Sequence, residues 1–340
     1  MARTLILYHR WPNLAGNHAG MAYFMRQYQR AVGRGVRMLH TAPGYGRWPA
    51  RLRRVWIMSL AAWLRWRLGR QDGVLFLEYL GGRQCGDHRE VALALQRAGS
   101  GPRRLGLVNL PISHMRGLYS EDYIREGLAA LDEIVVMGSA LQRDLQQIVP
   151  DTPVRRIPHF VDTEFYSPGP EPCQDRPVRC IAMGFLQRDA GRLRRIVQAC
   201  PAITFDVCIG NRQDLHRLFE DVPNAVRHPF LPEVELRRLM QQADMSISVL
   251  EDSVGNNVIV TSLACGLPQV LSDVGSVRDY CSEEQAVFCQ TDEEFIGALT
   301  RLADSPATRG TMRAGARSRA ESLSIARTIA SFRALMAPSP

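Results

Sequence analysis

The sequence predicts an α/β protein of two domains, each built on a mostly parallel sheet, and three observations carry that prediction. Apolar runs of strand length alternate with helical stretches in both halves of the chain. The 340 residues suffice for two separately buried cores. Between the halves, residues 166–178 read YSPGPEPCQDRPV, four prolines in thirteen residues, a composition suited to a stiff connector. The expected organisation is residues 1–166 as the N-terminal domain, 167–178 as the linker, 179–320 as the C-terminal domain, and 321–340 as a closing helix that crosses back to the first domain.

Composition narrows the function classes. All 42 basic residues are arginine, so no lysine is present to form a Schiff base or hold a phosphate. The net charge of +8 favours anionic partners such as nucleotide diphosphates or acidic lipid surfaces. No RNA-recognition or zinc-finger pattern accompanies the charge, and no nucleic-acid partner is expected. Eight cysteines lie at 85, 173, 180, 200, 208, 265, 281 and 289 without CxxC spacing, which reads as reduced, buried thiols. The apolar run at 3–8 is too short for a signal peptide, and the longest, 55–64, is about half a bilayer span, so a cytoplasmic protein without a transmembrane segment is expected.

Residues 3–8 are a first buried strand. The turn-rich loop 9–20 then leads into a helix over 21–32, and Gly16, Asn17 and His18 of that loop are either acceptor contacts or ordinary surface residues. Residues 47–70 form a helix holding four of the five tryptophans, with Leu52, Trp56, Leu60, Trp63 and Trp66 on one arc and Arg51, Arg54 and Arg65 opposite. Two readings stand for it: an interfacial helix on an anionic membrane, or a helix packed on its own domain with arginines in water. Arg53 and Arg67 intrude on the apolar side. Strand 73–80 ends in Glu78-Tyr79, followed by Gly81-Gly82 and then Asp87-His88; the carboxylate at the strand's carboxyl end either touches a ligand or, the preferred reading, is a solvated turn residue. Strand 105–110 leads to Ser113-His114, and strand 131–137 to Ser139, the expected N-cap of a helix through Ile148.

In the second half a strand at 179–183 precedes the loop 184–192, GFLQRDAGR, and a helix over 193–199. Strand 203–210 follows, and then residues 226–232, where Phe230 either stacks on a planar ligand or packs in the core. After helix 233–243 comes the most informative stretch, 243–280. Residues 245–250 are a strand buried on both faces. Residues 251–257, EDSVGNN, turn the chain, and an apolar, β-branched helix begins near Val258. Gly266 and Pro268 end it, residues 269–272 return as a strand, and Ser276 caps a further helix. Such a unit holds a helix N-terminus at the carboxyl edge of a parallel sheet, where aligned amides bind phosphates, unless it is structural only. The tail, 305–336, carries arginines at helical spacing, expected as a solvated face.

ADMSISVL, the Gly255 loop and LACGLPQVLSDVGSVRDY together resemble the nucleotide-sugar-binding signature of glycosyltransferase family 4, and VRRIPHFVDTEF at 154–165 resembles that family's domain-end segment. The resemblance implies the GT-B fold, two Rossmann-like domains with a ligand cleft between them. In the family the signature loop carries two glutamates eight positions apart. Ser253 and Thr261 stand there in this chain, with Glu251 two residues earlier as a partial replacement. The loop after the first strand of the C-terminal domain carries an arginine and a lysine in the family, and here Phe185 and Ala190 stand at those positions. Arg188 and Arg192 lie close enough in sequence to reach the same diphosphate, unless both face solvent. A histidine beside the reacting sugar is implied at His114, which otherwise bonds a loop carbonyl.

What this implies is a hexosyltransferase-type enzyme that moves a sugar from a nucleotide-diphosphate sugar to a hydroxyl, retaining configuration and working without a metal or other cofactor. Arg188, Glu251 and His114 are its candidate catalytic residues. Donor contacts are expected from Gly184, Arg188, Arg192, Phe230, Glu251, Ser253, Gly255, Asn256, Asn257, Val258 and Thr261, and acceptor contacts from Gly16, Asn17, His18 and His114. The absence of an Asp-x-Asp motif agrees with the metal-free expectation. A lipid-linked acceptor in polysaccharide or glycolipid assembly follows if residues 47–70 meet a membrane. Two alternatives stand beside this reading: a binding partner of the same fold without catalysis, and a nucleotide-sugar 2-epimerase.

Overall fold

The computed structural model describes residues 3–9, 17–41, 48–82, 86–170 and 176–336. The chain divides into two compact units, residues 1–158 with 326–340, and residues 159–325.

The first unit carries strands β1 (Thr4–Tyr8), β2 (Val36–His40), β3 (Gly73–Phe76), β4 (Arg103–Val108), β5 (Glu133–Val136) and β6 (Val154–Arg156). They form one sheet in the order β2-β1-β3-β4-β5-β6, parallel throughout. Its helices are α1 (Met21–Val32), α2 (Ala50–Arg67), α3 (Gly86–Arg97), α4 (Ile112–Leu118), α5 (Glu121–Ala129) and α6 (Ser139–Ile148). β5 is buried at every position, and after Glu133 it reads as an apolar run, Ile134-Val135-Val136.

The second unit repeats the plan with β7 (Arg179–Met183), β8 (Thr204–Cys208), β9 (Ala225–His228), β10 (Met245–Ser248), β11 (Gln269–Ser272) and β12 (Ala286–Cys289). The order is β12-β11-β10-β7-β8-β9, again parallel. Around it lie α7 (Ala190–Ala199), α8 (Gln213–Arg217), α9 (Glu233–Gln242), α10 (Asn257–Ala264), α11 (Asp292–Asp304) and α12 (Pro306–Ser322). The final helix, α13 (Ile325–Met336), lies mostly in the first unit, where Phe332 packs edge-on against Phe24 and Tyr28 at 5.9 and 5.1 Å.

Both sheets have one topological switch point, the place where successive crossovers leave in opposite directions. It falls between β1 and β3 in the first unit and between β7 and β10 in the second. Ligands of open α/β sheets bind at the carboxyl ends of the strands there.

Four sequence expectations change. The division between the units falls after Pro158, ahead of the proline-rich stretch, because residues 163–169 are held by the second unit. The Tyr166 hydroxyl donates to Glu233 at 2.7 Å, Arg317 to the Thr163 and Tyr166 carbonyls, and Arg313 to the Gly169 carbonyl. The tail arginines are therefore not simply a solvated face: Arg309, Arg313, Arg317 and Arg319 all satisfy backbone carbonyls. The helix expected after Ser276 is a single 3-10 turn, Val277–Asp279, without a side-chain cap.

The fourth change concerns α2, where Leu60, Ala61 and Leu64 are buried against the unit, which splits the predicted arc. Leu52, Val55, Met58, Trp63 and Trp66 remain exposed, Trp66 at 79%. On a 100° wheel the exposed residues lie opposite the buried three, and Arg51, Arg54 and Arg65 flank them. The helix has two apolar faces, and only one is used by the fold.

Candidate functional site

The second unit's switch point is closed by backbone pairing between the loops after β7 and β10. Glu251 N–H donates to the Gln187 carbonyl at 3.0 Å, Asp189 N–H to the Val249 carbonyl at 3.2 Å, and Arg188 forms a bridge with Leu250. This pins Arg188 at the sheet edge. Nη1 donates to the Leu186 carbonyl at 2.8 Å, while Nε and Nη2 are sealed from solvent without a partner, and among the described residues no carboxylate pairs with the group. Burial pulls this guanidinium down to about 10, so it stays charged at neutral pH. A guanidinium with two nitrogens sealed away and no counter-charge costs stability, which makes this loop a candidate anion site.

The backbone around it is shaped for the same purpose. Gly184 has φ 77°, and a Cβ there would come within 3.2 Å of the Arg188 guanidinium, so glycine is required. Gln187 holds φ 55° without being glycine, a local strain of the kind kept at ligand sites. Ser248, at the end of β10, has a buried hydroxyl without a partner facing the same small cavity as Gly184 and Arg188.

Across the switch point, Asn256 caps α10: its Oδ1 accepts from Val258 N–H at 2.9 Å, so the helix starts at Asn257 and points its amides at the sheet edge. Asn257 also bonds the buried His159, whose ring burial lowers to about 4. Glu251 is exposed at this edge, and Gly255 is half-buried. Phe230, after β9, is 49% exposed, which removes the core-packing alternative. Phe185 is exposed too and carries Arg212 over its face at 5.3 Å.

Three predicted donor contacts are engaged elsewhere. Arg192 pairs with Asp292 and donates to the Gln290 carbonyl, which holds α7 to the start of α11. Thr261 is buried and its hydroxyl donates to the Asn257 carbonyl at 2.8 Å, a bond within its own helix. Ser253 is buried with its hydroxyl on the Val254 carbonyl at 3.1 Å, and Gly275, at φ 57°, presses so close that a Cβ would lie 2.2 Å from the Ser253 carbonyl.

In the first unit, His114 sits in α4, at the carboxyl end of β4, half-buried. Asn17 folds its side chain onto the Ala19 N–H at 2.8 Å, a turn that leads into α1, and His18 stacks on Tyr23 at 4.5 Å. Gly16 lies outside the described residues.

The sequence reading missed a cluster at this unit's switch point. His9 follows β1, and Asp87 and His88 lie in the first turn of α3, both buried. His9 Nε2 lies 3.4 Å from Asp87 Oδ1, and the two imidazoles stack at 4.3 Å. Burial lowers His9 to about 4 and raises Asp87 to about 7, so both groups are pushed towards neutrality. The usable signal was an Asp-His pair two residues ahead of the amphipathic run VALALQ, with a histidine just after the first strand. The same turn is strained, with Glu78 and Leu80 at φ 52° and 55°.

Comparison with known proteins now decides the architecture. Sucrose-phosphate synthase from Thermosynechococcus elongatus superposes with a TM-score of 0.77 at 13% identity, covering 98% of both chains. The lipopolysaccharide outer core galactosyltransferase WaaB, in its apo form, gives 0.72 at 11% identity over 98% of both chains.

The fold is that of the GT-B glycosyltransferases.

Residues 179–305 match the family model described as Glycosyl transferases group 1, a span that holds the Arg188 loop and α10. S. aureus TarM, in a complex with fondaparinux, alpha-GlcNAc-glycerol and UDP, gives a TM-score of 0.63 at 12% identity over 83% of this chain and 59% of its own. No curated protein matches the sequence. The GT-B pattern places this chain's matched span around the second unit's switch point, while the His9 cluster lies outside it.

Proposed function

We propose that this GT-B chain is a hexosyltransferase that moves a sugar from a nucleotide-diphosphate sugar to a hydroxyl acceptor with retention of configuration. The observation that carries this is the guanidinium of Arg188, with Nε and Nη2 buried without a partner, at the same switch point whose loop leads into the N-terminus of α10. Charge accumulates on the diphosphate as the sugar leaves, and a preorganised cation with aligned amides lowers that barrier without solvent reorganisation. Arg188 and the Asn257 amide at the start of α10 do this work where other enzymes use a metal at the diphosphate; the Val258 amide is taken by the Asn256 cap. Glu251 is the carboxylate for the donor's hydroxyls, Phe230 is the stacking face for a nucleobase, and His114 is the hydrogen-bonding group for the reacting sugar. UDP is the first nucleotide to test, since the TarM complex holds it.

The two-faced helix α2 supports a peripheral membrane role and a lipid-linked acceptor. Five exposed apolar residues flanked by arginines suit an anionic bilayer surface, and among the described residues no helix is long and apolar enough to cross one. Co-sedimentation with vesicles containing anionic lipid checks this: Val55→Ser with Trp66→Ser should abolish pelleting, and unchanged pelleting removes the membrane from the proposal.

One observation favours a second reading. The hydroxyls at Ser253 and Thr261 are spent on their own backbone, so the signature loop offers little beyond amides and Glu251. A protein that binds a nucleotide sugar without turnover is the corresponding function. A thermal-shift screen against UDP-, GDP- and TDP-sugars, followed by a radiolabelled-donor assay, separates the readings. Stabilisation with turnover supports the enzyme, stabilisation without turnover on any acceptor supports the binding protein, and no stabilisation by any nucleotide sugar sinks both.

A further inference from the structure

The switch point of the first sheet holds two buried electron-pair donors with nothing to receive them. His88 donates Nδ1–H to the Leu77 carbonyl at 2.9 Å. A carbonyl cannot donate, so the proton is on Nδ1, and Nε2 presents a lone pair. That Nε2 is buried without a hydrogen-bond partner. Asp87 accepts the His88 N–H on Oδ1 at 3.0 Å, and its Oδ2 is buried without a partner. Leaving two such acceptors unsatisfied in the interior is costly, because each has given up its water.

The third group completes a ligand set. His9 is placed by β1, with Nδ1 2.9 Å from the Thr41 hydroxyl, and its Nε2 faces Asp87. One ligand atom from each of His9, Asp87 and His88 lies within 4.8 Å of the others. Two imidazoles and a carboxylate are the donor set of borderline divalent cations of the zinc class, and three protein ligands leave positions for water or a hydroxyl. The Leu77 carbonyl on His88 and the Thr41 hydroxyl on His9 are outer partners of the kind that fix metal-bound histidines. A single water would satisfy the two lone acceptors, but it gives no account of the third converging ligand.

We infer that His9, Asp87 and His88 form a binding site for one divalent transition cation of the zinc class at the carboxyl edge of the first sheet. All three residues belong to the first unit, and the test of the site does not depend on the donor reading.

The full-length chain, stripped with a chelator and dialysed, is titrated with Co²⁺ and Zn²⁺. Calorimetry should give one equivalent per chain, and Co²⁺ should produce the visible absorption of a site of low coordination number with nitrogen ligands. Asp87→Asn and His88→Gln, checked for an unchanged circular dichroism spectrum, should each weaken binding at least ~10-fold. If either variant fails to fold, His9→Ala, at the most exposed of the three positions, should show the same loss. Absence of stoichiometric binding to the wild type overturns the inference and leaves a water in the gap; equal affinity in the folded variants overturns it as well.

Discussion

The two sheets have the same six parallel strands and the same kind of switch point, yet their carboxyl edges hold opposite chemistry. In the second unit the edge holds a guanidinium and helix amides, all donors. In the first it holds a carboxylate oxygen and an imidazole lone pair, both acceptors. Strand order places a site; it does not choose the ligand. That choice lies with a few side chains on the loops after β1, β3, β7 and β10.

The comparison breaks first at Arg188. Arg188→Leu should lower turnover about 100-fold or more, about 3 kcal/mol of transition-state stabilisation, while the far-UV spectrum is unchanged and Co²⁺ binding is untouched. Steady-state kinetics checks it, and a loss below about threefold would take the cation out of the proposed clamp.

Acid sharpens the contrast within the second unit. His159 is buried and neutral with its pKa lowered from 6.5 to about 4, so below about 6.5 the unfolded chain binds a proton that the folded chain refuses. Its contribution is complete above pH 6.5 and declines as pH falls towards 4, by up to about 3 kcal/mol. His159→Gln should flatten that part of a denaturant-derived stability profile, and an unaltered slope between pH 6.5 and 4 would exclude the imidazole as its source.

Gly184→Ala forces a β-carbon against the Arg188 guanidinium at positive φ. A loss of about 1–2 kcal/mol in stability is expected, together with weaker UDP-induced thermal stabilisation. Phe230→Ala has the smallest expected effect, about tenfold in nucleotide affinity with little change in fold stability, because the ring is exposed and stacking on a base is worth about 1 kcal/mol or more. Isothermal titration with UDP reads it, and equal affinity would assign the ring to another partner.

Much of the architecture was legible because it rests on local physics. Alternation of apolar runs with helices gave two parallel α/β units, and Asn256-Asn257 with Gly266 framed α10 through capping and a left-handed stop. The site was legible only as a region. Arg188 and Arg192 look alike in the sequence, four residues apart, and Asp292, 100 residues further along, pairs with Arg192 and leaves Arg188 unpaired. Thr261 looked like a ligand hydroxyl until the helix turned it onto its own carbonyl.

The sequence by itself determined the strands, most of the helices and the family resemblance, because hydrophobic period, caps and turn residues act over a few neighbours. Only the tertiary structure decided which charges are satisfied: Arg192 by Asp292, the tail arginines by distant carbonyls, one face of α2 by the core. It also brought His9 beside Asp87 and His88, nearly eighty residues apart in the chain, because β1 and β3 are hydrogen-bonded neighbours although β2 lies between them in sequence. Pairing and burial are long-range properties of the fold, and a ligand site is defined by the groups that folding leaves without a partner.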